Sequence, residues 1–103
     1  MTSLYDDFMI DTYLVALNTT KPNNWYYIQA DKCIQLMREN TEFMNIILKE
    51  LHKFWVKYVD NNDYCTYKDD YTYFIINDDS RYRYKIAYWI DTFVDIVMSS
   101  YNF

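Results

Sequence analysis

Arg81-Tyr82-Arg83-Tyr84-Lys85-Ile86 is the stretch on which the fold turns. In an extended chain, Arg81, Arg83 and Lys85 fall on one face and Tyr82, Tyr84 and Ile86 on the other, the period-two pattern of a half-buried strand. The same residues also open a helical pattern. With Ser80 as N-cap, Tyr82, Ile86, Trp89, Ile90, Phe93 and Val97 run along one side of a single helix over 81–100. The alternation favours a strand to about Ile86 and a helix from about Ala87 to Ser99.

The segments just upstream support the strand. Tyr64-Cys-Thr-Tyr-Lys68 and Tyr71-Thr-Tyr-Phe-Ile-Ile76 are rich in aromatic and β-branched residues, and Asp69-Asp70 and Asn77-Asp-Asp-Ser80 separate them as turns. Three strands so spaced form a small antiparallel meander over about 64–86. The earlier half of the chain reads as helix. Ser3 caps a first helix with Asp6 at its third position, followed by the stripe Met9, Ile10, Tyr13, Leu14 and Leu17 as far as Asn18. A connector from Asn18 to Asn24, broken by Pro22, leads to a second helix from about Trp25 to Glu39, with Tyr26, Tyr27, Ala30, Cys33, Ile34 and Met37 on one face. Thr41 caps a third, whose stripe is Met44, Ile47, Leu48, Leu51, Trp55, Tyr58 and Val59, ending near Asp60. The expected architecture is one α+β domain over 1–103: three helices, the meander and a closing helix. An all-α bundle with a hairpin is the alternative.

Composition narrows the function. Of 103 residues none is Gly and thirteen are Tyr. A chain without Gly has no Walker loop, dinucleotide fingerprint or glycine-built oxyanion turn, since each needs φ > 0 or a missing Cβ. Gly 0 and Pro 1 against Tyr 13, Phe 6 and Met 5 also follow the codon bias of an AT-rich genome. That bias points to a low-GC bacterium, its phage or a large AT-rich virus. No apolar run approaches the roughly 18 residues of a membrane span, and no charged, apolar leader opens the chain, so a cytoplasmic location and no membrane partner are expected. Cys33 and Cys65 stand 32 positions apart without a metal-binding pattern and read as reduced.

His52, the single histidine, has no evident cysteine or carboxylate partner and reads as a helix-boundary residue rather than a base. Asp60, Asp63, Asp69 and Asp70 lack the alternating ligands, central Gly and terminal Glu of a calcium loop. No catalytic residue, metal or cofactor is expected, and the chain reads as a non-enzyme.

Charge supplies the functional candidate. Residues 60–79 hold six Asp against Lys68, a balance of −5 that equals the net charge of the whole chain. Residues two apart on a strand lie roughly 6.5–7 Å from each other on one face, close to the spacing of successive phosphates. On the turns either side of the short sheet, Asp60, Asp63, Asp69, Asp70, Asp78 and Asp79 are expected to present a row of charge like a nucleic-acid backbone, with Tyr64, Tyr67, Tyr71 and Tyr73 as anchors. The plainer reading is that charged turns keep a sheet edge soluble.

In size, acidity and codon bias the chain resembles the small inhibitors, anti-CRISPR proteins among them, that phages and mobile elements direct at host nucleic-acid enzymes. The resemblance implies occlusion of a host protein with a basic nucleic-acid-binding cleft and no direct contact with nucleic acid. Two alternatives remain open: nucleic-acid binding by the Arg81–Lys85 strand, and a self-associating structural viral or phage component, a homodimer through the third or last helix.

Overall fold

The computed structural model describes residues 3–58 and 80–100. These fold as four helices, α1 (Leu4–Leu17), α2 (Trp25–Glu39), α3 (Thr41–Tyr58) and α4 (Ser80–Ser100). The described residues are 88% helical and contain no strand, so the fold is all-helical rather than α+β. Residues 81–86, expected as a strand, are the first turns of α4. The proposed strands Tyr64–Lys68 and Tyr71–Ile76 lie outside the described residues.

The reason is the continuity of one apolar stripe. Tyr82, Ile86, Ala87, Trp89, Ile90 and Val94 are all buried at helical spacing, so winding 81–86 into α4 extends an existing core face by two turns. Arg83 loses nothing in the exchange. Arg83 points across to α2, where its Nε donates to Asp31 Oδ1 at 2.7 Å and its Nη2 to Oδ2 at 3.3 Å. Its guanidinium also lies 4.6 Å from the centre of the Tyr27 ring.

Helix ends show how a chain without Gly stops a helix. Glycine commonly closes a helix in the left-handed region, yet α1 and α2 both end on Asn in ordinary extended backbone, Asn18 at φ −74° and Asn40 at φ −143°. Asn18 turns the chain by accepting from the Thr20 backbone N–H at 2.9 Å and the Thr20 hydroxyl at 2.8 Å. Asn40 serves two helices, donating its N–H to Leu36 at the end of α2 and accepting from the Phe43 N–H at 2.8 Å at the start of α3. Asn40, not Thr41, is thus the cap of α3. Ser3 caps α1 as its sequence suggests, accepting from the Asp6 N–H at 3.1 Å.

Helix α4 packs most extensively on α2, α3 next most, and α3 and α4 also touch each other. Ala30 and Cys33 of α2 sit at the centre with Ile47 and Leu51 of α3 and Ile86 and Ile90 of α4, all essentially inaccessible. Burial drives the Cys33 thiol pKa well above its ordinary value and leaves it a small hydrophobe rather than a nucleophile.

Helix α1 is turned differently from its expected stripe. Its buried residues are Phe8, edge-on to Phe43 at 5.7 Å, and Thr12. Thr12 Oγ1 donates to the Phe8 carbonyl at 2.9 Å and accepts from Gln29 Nε2 at 2.9 Å. Gln29 Nε2 also reaches Asp11 Oδ2 at 3.1 Å, and Asp11 faces Lys32 at 3.5 Å. This polar contact, buried between α1 and α2, fixes which side of α1 faces inward.

Candidate docking surface

Ten of the fourteen residues of α1 are apolar, and they are distributed around its whole circumference. A helix apolar on every side normally lies buried on every side. With Phe8 and Thr12 inward, the far side is open: Ile10, Leu14 and Leu17, at spacings of four and three, are 50%, 63% and 64% exposed. They form a ridge along α1.

Beside the ridge runs an apolar groove between α1 and α4. One section, of about 550 Å³, is lined by Tyr13, Leu17, Val97 and Met98. A second, of about 290 Å³, shares Tyr13 and Val97 and is floored by Phe54, Trp89 and Phe93. Tyr13 meets Phe93 edge-on at 5.9 Å and marks where the sections join. On the α3 side the second section is bordered by Glu50, Lys53 and Lys57, with Lys53 Nζ 3.3 Å from Glu50.

Tyr5 stands half-buried at this groove. Burial first, and the Glu50 carboxylate second, push its phenol from 10.0 up to about 12. The folded state therefore favours the neutral phenol. Its contribution is complete below a pH of about 10 and disappears as pH rises from about 10 to about 12. Tyr5→Phe is expected to flatten the fall of Tm across that alkaline window and to leave the profile unchanged at neutral pH. Parallel profiles throughout would mean that the Tyr5 phenol sits in open water.

The ten residues expected to bind a partner, Asp60, Asp63, Tyr64, Tyr67, Asp69, Asp70, Tyr71, Tyr73, Asp78 and Asp79, lie outside the described residues. The helix ends that carry this segment are described. Phe54 and Trp55 near the end of α3 and Tyr82 at the start of α4 are buried, and the Lys85 ammonium lies 5.3 Å from the Trp55 ring centre and 5.4 Å from that of Tyr82. The last turns of α3 and the first turns of α4 thus meet at one corner of the bundle.

The nucleic-acid alternative rested on a strand that does not form. Within α4, Arg83 is engaged by Asp31 and Tyr27, and Lys85 by Trp55 and Tyr82. Of the sequence-read stripes on α3 and α4, Ile47, Leu48, Leu51, Trp55, Tyr82, Ile86, Trp89 and Ile90 are buried in the core, whereas Phe93 and Val97 line the groove. The open ridge on α1 was not distinguishable in sequence from a core-facing stripe. Among the described residues no group of three or more His, Cys, Asp or Glu is placed to hold a metal ion, and no helix is long and apolar enough to cross a membrane. No family model, curated protein or solved structure matches the chain.

Proposed function

We propose that this is a small, acidic, non-enzymatic binding protein that inhibits a host nucleic-acid enzyme or defence complex by occupying its basic cleft. What supports the reading is the concentration of six Asp in residues 60–79, which in sequence connect the end of α3 to the start of α4. A segment that connects rigid helices is the usual carrier of a binding role. Six Asp against one Lys select a cationic partner and steer its approach. In a phage or mobile element the outcome is stoichiometric occlusion of the site where nucleic acid would lie.

Tagged full-length protein, incubated with lysate of a low-GC bacterium and eluted along a salt gradient, tests this directly. One near-stoichiometric nucleic-acid enzyme released at moderate salt is the expected result. A partner insensitive to salt, or an enzyme whose activity is unchanged when saturated with this protein, would overturn it.

A further inference from the structure

We infer that the α1 ridge is covered by a second copy of this chain, with the two α1 helices antiparallel about a two-fold axis near Leu14. Three features of this face point to a self-complementary contact. The first is shape. A ridge (Ile10, Leu14, Leu17) lies directly beside a groove (Tyr13, Val97, Met98) on one surface. A two-fold axis uses the same patch on both partners, so it seats each ridge against the groove of the other copy.

The second is charge. The first turn of α1 carries Asp6 and Asp7, and Lys21 stands just past its other end, with Nζ donating to the Ala16 carbonyl at 2.7 Å. Leu14 lies seven residues before Lys21 and seven and eight after Asp7 and Asp6. An antiparallel crossing at Leu14 therefore brings the acidic turn of each copy to the Lys21 of the other, whereas a parallel crossing sets acid against acid. The third carboxylate of the helix, Asp11, faces inward to Gln29 and Lys32.

The third is size. A stable two-fold contact removes about 800 Å² from each partner. Three ridge side chains fall short of that alone, and the adjoining groove supplies the further apolar surface. Each copy brings its own Asp-rich residues 60–79, which in sequence join α3 to α4, so a dimer carries two acidic segments.

The mass of the full-length protein in solution, followed by light scattering or sedimentation over micromolar concentrations, tests the inference. The wild type is expected at twice the chain mass, and Leu14→Asp at the chain mass with its helical circular dichroism intact. Charge swapping reads the orientation. The double change Asp6→Lys with Asp7→Lys, and the single change Lys21→Asp, are each expected to weaken self-association, and mixing the two variants to restore a dimer in which every pair is again opposite in sign. A monomeric wild type, or a dimer that Leu14→Asp leaves intact, overturns the inference. So does a mixture that gains nothing over either variant alone. The result is independent of the host partner, because no lysate enters the experiment.

Discussion

Ile86→Ala is expected to lower the unfolding free energy by about 2–5 kcal/mol, the range for removing a large aliphatic side chain from a packed core. Ile86 is fully buried in the α4 face that packs on α2. Tyr84→Ala, two residues earlier, is expected to cost less than about 1 kcal/mol, because Tyr84 is 55% exposed and its ring lies against that of Tyr88, one turn on, at 6.3 Å. The contrast is the signature of a helix. In a strand, Tyr82, Tyr84 and Ile86 share a face and both substitutions would be severe. A chain of this size has roughly 5–15 kcal/mol of stability in total. The Ile86 variant should therefore shift the urea midpoint by more than about 1 M, while the Tyr84 variant stays close to wild type. Equal costs at the two positions would return residues 81–86 to an extended conformation.

The second large effect concerns binding. Replacing Asp69, Asp70, Asp78 and Asp79 together by Asn is expected to weaken capture of the host enzyme by about a hundredfold or more, mostly through slower association, and to flatten its salt dependence. The helical circular dichroism should be unchanged, since these four residues contribute to none of the helices α1 to α4. Asn keeps the size and hydrogen-bonding capacity of Asp while removing its charge, so the readout isolates electrostatics from shape. Unchanged affinity at low salt would rule out charge mimicry.

Three of the helices are written plainly in the chain, and the reasons differ from element to element. Helix α3 announces itself because Ile47, Leu48, Leu51 and Trp55 repeat at helical spacing, and all four are buried. Helix α2 is equally legible in extent, although its core includes Trp25 and Gln29 rather than Tyr26 and Tyr27. Residues 81–86 misled because Arg and Tyr alternate there by coincidence with the helical stripe. What decides between the two periods is not local. Arg83 finds Asp31, fifty-two positions away, and Ile86 finds the α2 face, and neither pairing is visible in a six-residue window. Helix α1 failed for a different reason. Its extent and its Ser3 cap were readable, but a helix apolar on all sides carries no periodic signal for which side turns inward. The residues expected to bind a partner were drawn from composition, and composition locates charge without locating geometry.

The buried contact between Thr12 and Gln29 acquires a further meaning from this. Helix α1 has no azimuth of its own, because its apolar residues would accept several rotations about the helix axis. One hydroxyl and one amide, 2.9 Å apart, choose the rotation, and in choosing it they decide which residues the molecule displays. The identity of the outer face is therefore encoded in the interior. Substitutions at Thr12 or Gln29 could roll a different set of side chains to the surface without changing a single exposed residue, so the exterior of this protein evolves through its core as well as directly.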